Sequence, residues 1–169
     1  MRPFFIYYNM QQEVLSAQKF FKEEAPQLLD QLKADAQPVW GLMTAQHMVE
    51  HLIVTYKMAI GRIKIPMVIS EDKVERNRAY LIQDSPMRRS VPSPTGKNEL
   101  QPLRSASLSE AIEKLKAEIQ KFDEFIAANP DHKAIHPYGG ELNAGQWLLF
   151  NRKHMKHHFI QFGLIPDYE

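Results

Sequence analysis

Five of the seven histidines in this 169-residue chain fall into two short runs. Lys153-His154-Met155-Lys156-His157-His158 sets His154 and His158 four residues apart, and Met43-Thr44-Ala45-Gln46-His47-Met48-Val49-Glu50-His51-Leu52 repeats that spacing with His47 and His51. Both runs read as helix, where residues four apart share a face. Imidazoles gathered in this way are nitrogen ligands for a divalent ion. Three of them would hold it and leave a position for water or substrate, whereas a structural zinc wants a fourth ligand. Neither pair carries the Glu of HExxH, so no helix-borne general base stands between the ligands.

The helical period decides which histidines point the same way. At about 100° per residue, His154 and His158 fall within about 20° of Trp147, while Arg152, Lys153 and Lys156 fall near 140°, 240° and 180° and mark a solvent face. His157 lies on the flank, beside Phe150. The same arithmetic from Thr44 puts His51 with Met48, Leu52 and Thr55, and leaves His47 between the two faces. His51, His154 and His158 are thus the inward set. The bland alternative is a core in which each ring is satisfied by hydrogen bonds.

Elements must hold those residues in place. Four segments carry helical periodicity. The first runs over 11–34, with a kink or break expected at Pro26, which removes a hydrogen-bond donor. The second runs from the N-cap Thr44 to Ile60, before Gly61. The third is opened by the capping box Ser107-Leu108-Ser109-Glu110 and stopped by Asn129-Pro130. The fourth opens at Asn143 with Gln146 and ends at Gly163. Phe4-Phe5-Ile6-Tyr7-Tyr8 is too short for a helix of its own and is expected to lie over the core, with an aromatic homodimer contact as the alternative.

Prolines 66, 86, 92, 94 and 102 punctuate the long stretch between the second and third segments. Ser70 to Ile82 can hold a short helix, and Ser85 to Ser107 reads as an ordered loop draped across one end, where it could roof the site. The expected fold class is all-α, a four-helix bundle with a long crossover between helices 2 and 3, making one domain over residues 1–169.

Composition narrows the function. The chain has no cysteine, which excludes disulfides, thiolate ligands and a cysteine nucleophile and agrees with a reducing compartment. A net charge of +1 gives no bulk drive toward nucleic acid or anionic membrane, and the locally basic stretch Met87 to Arg104 reads as a solvated loop. No run reaches membrane-spanning length and the N-terminal apolar stretch is too short for a signal peptide, so a cytoplasmic protein is expected.

Trp40-Gly41-x-Met43-Thr44, leading to Met48-Val49-x-His51, resembles the second-helix signature of the DinB-like superfamily of metal-binding four-helix bundles. His136-Pro137-Tyr138-Gly139, then Gln146-Trp147, then Lys153-His154-Met155-Lys156-His157-His158-Phe159-Ile160-Gln161-Phe162-Gly163 is similar to one branch of it. Tyr138-Gly139-Gly140 departs from that branch, where an aromatic before a single glycine is usual. The resemblance implies that His51 from the second helix and His154 and His158 from the fourth hold a divalent ion, and nitrogen ligands suit zinc or nickel ahead of iron or copper. It also implies transferase or isomerase relatives that use a low-molecular-weight thiol, which here would have to be a cosubstrate.

The expected function is therefore a divalent-metal-dependent enzyme acting on a small molecule, of hydrolase or low-molecular-weight-thiol transferase type, with neither nucleic acid nor membrane as partner. The alternative is a non-catalytic, metal-stabilised bundle, a stress or binding protein. His47, one turn before His51, is expected behind the ligands or at the mouth of the site, with a swapped or fourth ligand as the alternative. Asn151 and Gln161, three residues from His154 and His158, are expected to orient ligands or bind a metal water, with the capping of buried polar groups as the alternative. His132 and His136 are left outside the metal set.

Overall fold

A computed structural model describes the chain at residues 3–89, 91 and 99–168, with residues 3–9 given by their backbone alone. Helix α1, Pro3–Lys19, passes through a π-helical turn, Phe20–Glu24, into α2, Ala25–Gln31. The disturbance expected at Pro26 takes the form of that turn. The Ala25 N–H bonds back five residues to the Phe20 carbonyl, and Pro26, which has no N–H to donate, follows directly in the first turn of α2. The aromatic opening belongs to α1 and is no separate arm. Extending an existing helix avoids the nucleation cost that a five-residue helix could not meet.

The caps lie where the sequence puts them. Thr44 Oγ1 accepts the His47 N–H at the start of α3, Ala45–Ala59, and Ser107 Oγ accepts the Glu110 N–H at the start of α5, Leu108–Ala128. The Glu110 carboxylate reaches one residue further back than a capping box requires, to the Ala106 N–H at 2.6 Å. Asn143 and Gln146 form the full reciprocal box that opens the last long helix, Ala144–Gln161. Gly61 and Gly163 end their helices at φ of +74° and +67°, each inside the pair of backward hydrogen bonds of a Schellman motif.

Two features go beyond four helices. Glu71–Ile82 forms α4 within the long connection, and Lys133–His136 (β1) pairs antiparallel with Gly140–Asn143 (β2), His136 opposite Gly140. The fold is mostly helical, in keeping with the all-α expectation, with a small two-stranded sheet added to it. Each strand is only four residues long, within the length of an ordinary helix–helix linker. Residues 92–98, the middle of the expected roofing loop and of the basic stretch, lie outside the described residues. Among the described residues, no helix is long and apolar enough to cross a membrane.

The last helix, now α6 (Ala144–Gln161), is the centre of the packing. It meets α1, α3, α4 and β2, while α3 packs along α5. Of its 18 residues 13 are buried, including Arg152 and Lys153, each 3% exposed. The solvent face expected from these charges is therefore wrong for two of the three. Arg152 is taken up by α1, its Nη2 donating to Glu13 Oε2 at 2.6 Å. Lys153 is taken up by α4 and the turn after it, its Nζ donating to the Tyr80 and Gln83 carbonyls and to Ser85 Oγ and lying 3.9 Å from the Tyr80 ring centre. Burial pushes the Lys153 amine down to about 8, against the pull of Asp84. Lys156 is partly buried, 3.8 Å from Asp84.

A consequence can be measured. Lys153→Ala removes the donor of three acceptors and leaves a void, so urea unfolding should show a loss of about 2–4 kcal/mol. Lys33→Ala, at an exposed position, should stay within about 0.5 kcal/mol of the parent. Equal small effects would return Lys153 to the solvent face.

Candidate metal centre

Helix α3 brings one imidazole and α6 brings two to a common point. His51 Nε2 and His158 Nε2 each lie 3.0 Å from His154 Nε2, and all three nitrogens lie within 4.8 Å of one another. His51 is half-buried and the other two are buried. The four-residue spacing on α6 stacks its pair one turn apart, with ring centres 4.7 Å apart, and Phe150 stacks on His154.

Burial holds all three rings neutral. It pushes His51 down to about 4, with the neighbouring His157 adding to the effect. His154 and His158 are held well below the usual histidine range, first by burial and then by their neighbours. At neutral pH each ring therefore carries one proton and one lone pair.

The tautomer of His158 is fixed by a relay that the sequence does not reveal. The Gln161 amide donates from Nε2 to the Trp40 carbonyl at 2.7 Å, which turns its Oε1 toward His158 Nδ1, also at 2.7 Å. An amide oxygen only accepts, so Nδ1 carries the proton and the Nε2 lone pair faces the cluster. Gly41 makes room for this bridge. Its φ is +82°, and a Cβ there would lie 3.0 Å from Gln161 Nε2. The Trp40-Gly41 and Gln161-Phe162-Gly163 motifs are thus two ends of one contact, and 120 intervening residues hid it.

These rings cannot satisfy one another. His154 Nε2 can hold one proton and so can donate to only one neighbour, and its own Nδ1 is buried with no hydrogen-bond partner among the described residues. With the protons of both His154 and His51 on Nδ1 instead, three lone pairs converge on one point. A cation is what such a donor set lacks, and three neutral nitrogens at this spacing fit one.

The remaining candidates fall elsewhere. His47 Nδ1 pairs with Thr44 Oγ1 at 2.7 Å, at the N-terminus of α3 and outside the cluster. His132 bonds to the Ala59 carbonyl and packs on Phe125. His136 accepts the Tyr138 N–H, packs against Phe150 and Trp147, and is pushed down to about 3 by burial. His157 lies between Trp40 and His158, with ring centres 5.3 and 5.2 Å away. Asn151 is buried, and among the described residues neither of its amide atoms has a partner, so the expected bond to His154 is not made.

The described ends of the long connection reach both flanks. Glu50, beside His51, accepts the Arg104 and Ser105 N–H groups, and Gln46 donates to the Ser105 carbonyl. Burial alone would raise the Glu50 carboxyl, but the Gln46 amide, which also donates to Glu50 Oε1 at 3.1 Å, and the two backbone N–H groups hold it low. Pro86, Met87 and Arg89 line a recess with Trp40 and His157 on the other side.

Neither a curated protein nor a solved structure gives a match to the chain. A family model does, over residues 23–162, a span that takes in the Trp40-Gly41 motif, the hairpin and all three clustered histidines. The chain belongs to the DinB superfamily.

Proposed function

We propose that His51, His154 and His158 hold one divalent ion through Nε2, zinc or nickel ahead of iron or copper, and that the chain is a metal-dependent enzyme of hydrolase or low-molecular-weight-thiol transferase type acting on a small molecule. The observation that carries this is the convergence of three neutral imidazoles, one with its lone pair locked inward by Gln161. Bound there, an ion would supply Lewis acidity, since neutral ligands leave its charge uncompensated. The protein's part is to hold the ligands deprotonated, orient them and offer no fourth histidine among the described residues. The chain has no thiol, so a thiol would enter as cosubstrate. We read the helices as a four-helix bundle, α1–α2 counted as one, in a single domain. The packing of α6 against α1 and α3, and of α3 against α5, supports that reading.

Elemental analysis of protein purified without an affinity tag should find close to one equivalent of divalent metal. Alanine at His51, His154 or His158 should abolish tight binding, while His132→Ala should keep it. Full retention in all three single variants would remove the site.

The relay has its own consequence. Gln161→Leu takes away the acceptor of the His158 Nδ1 proton, so metal affinity in a competition titration should fall about 10–100-fold while the helical circular dichroism stays. Unchanged affinity would reduce Gln161 to a tie between Trp40 and α6.

Acidity should act with a definite sign. The ligand pKa values lie below those of the unfolded chain, so the neutral rings favour the fold fully above the unfolded histidine value of about 6.5. That contribution is lost as the pH falls toward about 4, the folded value for His51. Proton competition removes the ion over the same range. Chelator should therefore lower the melting temperature at pH 7.5 and do little at pH 5. A response of equal size at both would assign the ion to other ligands.

A further inference from the structure

One charged and aromatic assembly remains outside the histidine cluster. The Arg89 guanidinium lies over the Trp40 ring, 3.9 Å from its centre, and pairs with the Asp167 carboxylate. Trp40, Ile160 and Asp167 line two adjoining recesses. One holds Arg89, Lys153 and His157, and the other is an apolar groove of about 390 Å³ walled by Val39, Leu164 and Ile165. That volume is within the range of small-molecule sites. The assembly is an apolar slot ending in a cation over an indole, with a carboxylate of the chain already seated on the cation.

We propose that this recess binds a small carboxylic acid with a flat or branched apolar body, and that Asp167 holds the place of the ligand's carboxylate. A planar guanidinium recognises a carboxylate by two parallel hydrogen bonds, and the indole face favours both the cation and an apolar body. The native occupant is easily displaced. Both side chains of the pair are about half exposed, 47% for Arg89 and 56% for Asp167, so salt and water weaken it. Asp167 brings only a short carboxymethyl group, whereas an external acid would add burial against Val39, Trp40 and Ile160. Lys153 lines the recess but spends its protons on Tyr80, Gln83 and Ser85, which leaves recognition to Arg89. The inference does not depend on the proposed ion, because none of its contacts uses His51, His154 or His158.

Trp40 reports on the recess, because the second tryptophan, Trp147, is fully buried and gives a constant background. Phenylacetate, with neutral phenylacetamide as control, is titrated against the full chain at low salt, with and without chelator, while indole fluorescence is followed. Phenylacetate should give a saturable change and phenylacetamide none. Asp167→Asn removes the internal competitor and should tighten binding about 3–10-fold, and Arg89→Gln should abolish it. Both substitutions are at exposed positions, and an unchanged melting temperature checks that the variants fold.

Equal responses to acid and amide, or an Asp167→Asn variant no tighter than the parent, would overturn the proposal. Binding that survives Arg89→Gln but vanishes with chelator would also overturn it, by moving the anion to the histidine cluster while leaving the metal reading intact. Binding that persists with chelator and is lost in Arg89→Gln supports the recess, whatever the ion does.

Discussion

The burial of α6 on nearly every side is the constraint on which the rest of the structure depends. A helix with neighbours all round cannot leave polar groups to water, and an unpaired buried polar group costs on the order of 1–3 kcal/mol. Several polar side chains of α6 therefore reach for partners in other elements, although Asn151 finds none among the described residues. Arg152 finds Glu13 on α1, Lys153 finds the end of α4, and Gln161 finds the Trp40 carbonyl. The three imidazoles find one another across the α3–α6 contact. In that last set there are too few protons for all the bonds to be made, and the three rings stand close enough together to hold an ion.

Much of the fold was legible because helix ends and apolar stripes are local. Thr44, Ser107, Asn143, Gly61 and Gly163 act within one turn of their own positions, so their types alone signal the boundaries. The charges of α6 misled for a related reason. A helical wheel assigns Arg152 and Lys153 to water because it assumes two faces, one apolar and one solvated. A central helix has no such division, and the partners that allow burial, Glu13 and the Tyr80–Ser85 turn, lie about 70 or more residues away. Periodicity within one segment cannot see them. The hairpin escaped for want of length, and α1 was cut short because its aromatic opening was judged alone.

The three clustered histidines were legible because phase is also local: His154 and His158 share a face, and His51 lies on the inward side of its own helix. What sequence could not supply was the orientation of the rings. Gln161 was singled out by its spacing from His158, yet its role is set by the Trp40 carbonyl, 121 residues away. Asn151 had the same spacing from His154 on the other side and makes no such bond. Spacing proposes a partner, and the backbone that the second polar atom can reach decides whether it becomes one.

Trp40 is where the histidine cluster and the basic recess meet. Its carbonyl fixes Gln161 and through it His158, while its ring floors the slot and carries Arg89. Two hydrogen bonds of 2.7 Å separate that backbone from an imidazole of the cluster, with no flexible chain between them. The Val39 N–H, bonded to the Gln161 carbonyl at 2.8 Å, pins the same segment a second time. A displacement of Trp40 must then either stretch these bonds or turn the Gln161 amide, and turning it would present an N–H to a nitrogen that already holds a proton. The orientation of the amide and the tautomer of His158 are thus matched to each other. Gly41 lets the matched arrangement form, since any side chain there would press on the amide that sets it.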